Sequence, residues 1–170
     1  RDNLNLLKER YIIIAKKKTA NLFVASCQTA AMLVNQNRVI QNALKEYGLN
    51  FGIAFQIIDD CLDLVGKAQD LGKSPGADFR MGELTLPILN LLSENKDRDQ
   101  LLSLIRQRDK EDTFDEIRKR FIDSSAFFKT AADIHYYIQK AKKSLNNLGE
   151  SCFKQSLLIL ADYIFERLKL

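Results

Sequence analysis

A chain of 170 residues, 46% hydrophobic and 28% charged, is long enough for one ordinary core and is neither disordered nor collagen-like. Seven glycines and two prolines, against many Leu, Ile, Ala, Lys and Gln, point to an all-α protein built as a helical bundle. A net charge of +4 without a dense Arg/Lys tract among aromatics excludes an obvious nucleic-acid binder and suits an anionic ligand.

Cys27, Cys61 and Cys152 are far apart and form neither a CxxC nor a Cys/His zinc spacing, so they read as reduced, buried small hydrophobes in a cytoplasmic setting. No stretch reaches the roughly 18 uncharged apolar residues of a membrane span, and no secretory or transit signal is evident. The sequence begins at Arg1 already in helical rhythm, so an upstream stretch missing from this chain is expected. Residues 1–170 are expected to form a single α-helical domain.

In chain order, Asp2 or Asn3 caps a first predicted helix with Leu4, Leu7, Tyr11 and Ile14 on one face. Lys16, Lys17 and Lys18 read as a solvated helix end near its C-terminal dipole. A second apolar run starts at Thr19, and its Ala20, Ser26, Ala30 and Ala31 allow close helix approach. Residues 38–65 read as one long helix, in which Gly48 and Gly52 share a face suited to tight packing. Gly66, Gly72, Pro75, Gly76 and Gly82 then mark a surface loop from Gly66 to Glu83 carrying Lys67, Lys73 and Arg80, and a loop of that length tends to be functional. Thr85-Leu86-Pro87 opens the next helix, and further amphipathic helices are predicted near 97–108, 112–122, 125–147 and 151–168, with Gly149 as a stop.

The chemistry concentrates in the window FGIAFQIIDDCLDLV, Phe51 to Val65. On a helical wheel Asp59 and Asp63 lie about 40° apart and Asp60 about 60° further, so three carboxylates point to one side, a turn above Gln56. A solvated helix end is the plain alternative, but the flanking Phe55, Ile57, Ile58, Leu62, Leu64 and Val65 argue for burial, and buried like charges need a cation. Magnesium takes oxygen ligands, uses few carboxylates and completes its shell with water and phosphate oxygens. Lys73 and Lys18 offer charge for the phosphate end. Zinc is disfavoured because the lone His135, read as structural, is 72 residues beyond Asp63.

Phe55-Gln56-x-x-Asp59-Asp60-x-x-Asp63, then Leu71-Gly72-Lys73, Gly76-x-Asp78 and Thr85-Leu86-Pro87, resembles the second aspartate-rich motif of trans-isoprenyl (polyprenyl) diphosphate synthases. Lys18-Thr19-Ala20 resembles that family's upstream KT motif, and residues 131–167 look like its C-terminal helices. The TLP ending resembles long-chain members. The resemblance implies the isoprenoid synthase fold and condensation of isopentenyl diphosphate with an allylic diphosphate. In that reading Asp59, Asp60 and Asp63 hold Mg2+ bridging to the allylic diphosphate, Lys18 and Lys73 contact the same diphosphate, Thr19 and Gln56 flank the carbocation and the proton-abstraction step, and Phe55 is among the substrate-binding residues. Relatives are usually homodimers, so dimerisation is implied too.

Two departures stand out. The family's first DDxxD motif and its downstream arginines are absent, so the chain matches the C-terminal half of such an enzyme and alone is expected to be inactive. Glu83 stands where many relatives carry lysine, removing a positive charge from the loop's end. The alternative is a naturally short, non-autonomous partner subunit of a heteromeric prenyl synthase; a helical interaction module without metal chemistry leaves the acids unexplained. A terpene cyclase shares the fold, but its Asn/Ser metal motif is absent here.

Overall fold

The computed structural model describes residues 2–66, 74–94 and 98–168. Nine α-helices and no strand occur among the described residues: α1 (Asp2–Ala15), α2 (Asn21–Leu33), α3 (Arg38–Val65), α4 (Ala77–Met81), α5 (Leu86–Glu94), α6 (Arg98–Arg106), α7 (Glu111–Ile122), α8 (Ser125–Ser144) and α9 (Cys152–Glu166). The all-α expectation is met, and the long helix over 38–65 has the predicted bounds. The chain divides into two compact units, one from Arg1–Tyr11 and Asp59–Ala132, the other from Ile12–Ile58 and Asp133–Lys169. Helix α3 contributes its last turns to the first and the rest to the second.

In the first unit, Leu62, Leu64, Val65, Leu89, Leu101, Ile117 and Phe121 are buried. A polar line runs through this apolar interior: Lys8 Nζ donates to Asn90 Oδ1 at 2.7 Å, Asn90 donates to Thr130 Oγ1, and Thr130 donates to the Ala126 carbonyl. Because each buried member has a partner, the line ties α1, α5 and α8 together without an orphaned polar group. Arg118 of α7 donates to the Val65 carbonyl at 2.9 Å, satisfying an end carbonyl of α3 and placing a cation at its negative pole.

In the second unit, the glycine pair does what its spacing predicts. A Cβ at Gly48 would stand 2.6 Å from the Phe23 carbonyl oxygen, and one at Gly52 would stand 2.5 Å from the Ala20 Cα. No side chain fits at either place, so α2 and α3 touch backbone to backbone. Tyr47 of α3 is buried and donates to the Leu157 carbonyl of α9 at 2.8 Å. Helix α9 is capped by Ser151, whose Oγ accepts from the Lys154 N–H.

Several expectations change. The lysines do not end a helix: Lys16–Ala20 form a π-helical turn joining α1 to α2, with helical backbone at Ala15 and Ala20. The Gly66–Glu83 segment is not structureless throughout, since it holds α4. Ile14 is exposed, and the buried residue at that end of α1 is Ala15. All three cysteines are free, but only Cys61 is buried; Cys27 is half-buried and Cys152 exposed. His135 is exposed, its ring edge-on to Phe165. Among the described residues no helix is long and apolar enough to cross a membrane.

Candidate active site

The predicted site residues fall into two groups, one in each unit. The first group is the Thr19–Gln56 pair. The π-helical turn adds a residue to a turn of helix and so re-aims the side chains beyond it; such turns are frequent at functional sites. It carries Lys18, which is exposed, and Thr19, whose hydroxyl donates a short hydrogen bond to Gln56 Oε1. Gln56 is buried. Phe55 is half-buried, its ring centroid 5.5 Å from that of Phe23. The close approach of the π-helical turn to α3 at Gly52, where an added Cβ would meet Ala20, brings the Thr19 hydroxyl within reach of Gln56 on α3.

The second group holds the carboxylates at the end of α3. The expectation of three buried acids pointing one way is corrected here. Asp60 and Asp63 are 4% and 3% exposed, whereas Asp59 is exposed. On the helical wheel Asp63 lies between Asp59 and Asp60, and packing leaves the Asp59 edge of that arc facing solvent while the Asp60 edge is covered. Asp60 Oδ2 accepts from the Tyr11 hydroxyl of α1 at 2.6 Å. Asp63 Oδ2 accepts from the Asp78 N–H at 3.1 Å, and the Asp63 carbonyl accepts from the Gly76 N–H at 2.8 Å.

Two bonds therefore fasten the start of α4 to α3. They depend on Gly76, which adopts φ +83 with the Phe114 ring 2.5 Å from where a Cβ would stand. Both the left-handed backbone and the ring exclude any other residue. Phe114 is in turn stacked beneath the Arg80 guanidinium at 5.3 Å.

The electrostatics agree with this geometry. The Tyr11 hydroxyl is pushed well above its usual 10.0, first by burial and then by the Asp60 charge and hydrogen bond, with smaller contributions from Asp78 and Asp59. It stays protonated and donating. Burial and the Asp60 charge likewise push the Cys61 thiol up to about 12, so it is no nucleophile at neutral pH.

Lys73, with Lys67, lies outside the described residues. Among the described residues, no three His, Cys, Asp or Glu side chains are grouped so as to hold a metal ion by themselves. The carboxylate donors at the end of α3 are all oxygen, and one is open to solvent. That fits a hard divalent cation that takes few protein ligands and fills its shell with water and phosphate oxygens, and does not fit zinc.

Sequence reasoning assigns no role to Tyr11 or Asp78. Asp78 has a signal, its place in Gly76-x-Asp78; Tyr11 reads as one more apolar-face residue of α1.

The all-α fold with an acid-bearing long helix defines the class, and comparison with known proteins settles the family. Residues 1–121 match the polyprenyl synthetase family, and the chain belongs to it. It is 41% identical over 160 residues to a prenyl transferase of Porphyra purpurea, covering 93% of this chain and 48% of that protein. It is 34% identical over 157 residues to heptaprenyl diphosphate synthase component 2 of Bacillus subtilis (strain 168), covering 92% and 45%. A polyprenyl synthase from Caulobacter crescentus CB15, solved with calcium and isoprenyl diphosphate, superposes with a TM-score of 0.86 at 35% identity, covering 91% of this chain and 48% of that one. The chain thus spans about half the length of the curated relatives it matches, and its fold is that half of the isoprenoid synthase fold.

Proposed function

We propose that this chain supplies one half of the active centre of a trans-prenyltransferase that condenses isopentenyl diphosphate with an allylic diphosphate. The observation that carries the reading is the end of α3, where exposed Asp59 adjoins two buried carboxylates, each fixed by a hydrogen bond from another segment. Asp59, Asp60 and Asp63 would hold Mg2+, and Lys18 and Lys73 would contact the allylic diphosphate. When bound, the cation neutralises charge growing on the departing pyrophosphate. Thr19 and Gln56 are held together by their hydrogen bond, and Phe55, next to Gln56 in the chain, packs against Phe23. In this reading Thr19 and Gln56 flank the carbocation and the position where a proton leaves, while the aromatic rings keep water out.

The relative from Bacillus subtilis is named a component 2, which favours keeping a second form of the same reading, in which the chain acts only with another prenyltransferase subunit. Both forms place the protein in the cytoplasm, and the first form makes it a homodimer. The chain alone is expected to be silent, because one aspartate motif leaves the metal cluster and the isopentenyl diphosphate site incomplete.

The test mixes the purified chain with the amino-terminal half of a family member carrying a DDxxD motif, and measures incorporation of labelled isopentenyl diphosphate with an allylic primer and Mg2+. Turnover is expected only in the mixture, and Asp59→Ala should abolish it without loss of helicity. Full turnover by Asp59→Ala would overturn the assignment, and robust turnover by the chain alone would overturn its status as half a centre.

A further inference from the structure

Tyr11 has no role in the proposed function, yet it reaches the acid cluster from α1. Its ring is 8% exposed, in the last full turn of α1 before the π-helical turn. Its hydroxyl donates to Asp60 Oδ2 at 2.6 Å, a bond joining residues 49 apart in sequence. A tyrosine buried only as a core side chain would be served as well by phenylalanine. A hydroxyl aimed at a carboxylate that adjoins the solvent-exposed Asp59 does more: it takes up one oxygen and removes a rotational choice.

We infer that Tyr11 is a positioning residue for the carboxylates of α3: its hydroxyl fixes the orientation of Asp60 and biases it toward a one-oxygen contact with a divalent cation. The inference rests on the proposed function, since it concerns the same carboxylates. Groups that orient a metal-binding side chain in this way typically govern affinity by about 10–100-fold. A hydroxyl bonded to one carboxylate oxygen occupies one of that oxygen's lone pairs and so works against both oxygens closing on one ion, which suits magnesium, a cation that keeps its waters, better than the larger calcium.

The test is Mn2+ binding to the 170-residue chain in the presence of inorganic pyrophosphate, read from the loss of the free-ion electron paramagnetic resonance signal. Tyr11→Phe keeps the ring and deletes only the hydroxyl, and it is expected to weaken Mn2+ binding about tenfold or more. Asp60→Glu keeps the charge but shifts it relative to the fixed hydroxyl, and it is expected to give a comparable loss. In an Asp60→Asn background, Tyr11→Phe should cause no further loss, because its effect passes through Asp60. Parental affinity in Tyr11→Phe, or a loss that is the same with and without Asp60, would overturn the inference while leaving the proposed function standing. No Mn2+ binding by the parent chain beyond that of pyrophosphate alone would overturn the inference, while the mixing experiment above still tests the proposed function.

Discussion

The middle of α3 and its C-terminal end are specified by different physics. Between Gly48 and Gly52 the helix is held by steric fit, with α2 so close that a single added carbon would overlap its backbone. From Asp59 to Val65 it is held by polar contacts: Tyr11 on Asp60, the Asp78 and Gly76 amides on Asp63, and Arg118 on the Val65 carbonyl. Steric specification tolerates no change in volume but is indifferent to charge. Polar specification tolerates changes of volume at an exposed carboxylate but not the loss of a buried partner. The helix can thus be rigid where it packs and chemically adjustable where it carries acids.

The largest expected effect comes from the sterically held middle of the helix. The double variant Gly48→Ala, Gly52→Ala forces the α2 backbone away at two successive turns and should cost more than about 3 kcal/mol, read as a lowered urea midpoint. Gly149→Ala, where nothing stands within 4 Å of the added carbon, is the control and should shift stability by less than about 1 kcal/mol. Equal effects at the two places would break the steric half of the comparison.

At the polar end, Asp60→Ala leaves the buried Tyr11 hydroxyl without its acceptor and should cost about 1–3 kcal/mol by the same measurement. Its neighbour Asp59→Ala, at an exposed position, should change stability by no more than about 0.5 kcal/mol. A large stability loss from Asp59→Ala would mean that the acids act as a structural block rather than as a gradient from structure to chemistry.

The smallest effect concerns pH. Burial, and secondarily Cys27, raise the Tyr47 hydroxyl above its usual 10.0 in the folded protein. Its protonated form therefore stabilises the fold fully below pH about 10, and that contribution is lost as pH rises past it. Tyr47→Phe should flatten the alkaline limb of the stability curve while lowering its neutral plateau by about 0.5–1.5 kcal/mol through the lost bond to the Leu157 carbonyl, measured by thermal unfolding from neutral pH to about pH 12.

Much of this arrangement is legible in the sequence, and the exceptions have physical reasons. Helical bounds at 38–65 come from apolar periodicity, and the Gly48/Gly52 contact comes from spacing, because both are local rules that packing here does not override. The family is carried by the aspartate motif together with the KT and TLP segments. The π-helical turn is hidden because Lys16-Lys17-Lys18 reads equally well as a solvated end; propensity does not register an inserted residue in a continuing helix. Tyr11 is hidden because its partner is 49 residues away, and a tyrosine on an apolar face carries no sign of whether its hydroxyl will meet water or a carboxylate. The difference between Asp59 and its neighbours is an angle on the wheel, but which side of that arc faces solvent is set by tertiary packing.

The most direct test of the α3 carboxylates is equilibrium binding of an allylic diphosphate to the parent chain and to Asp59→Ala, each with Mg2+ and with Mg2+ chelated. Binding is expected only for the parent with Mg2+ present, with Asp59→Ala folded but at least about tenfold weaker. Binding that is indifferent both to Mg2+ and to Asp59 would contradict the reading that these carboxylates are the metal-holding half of a prenyltransferase centre.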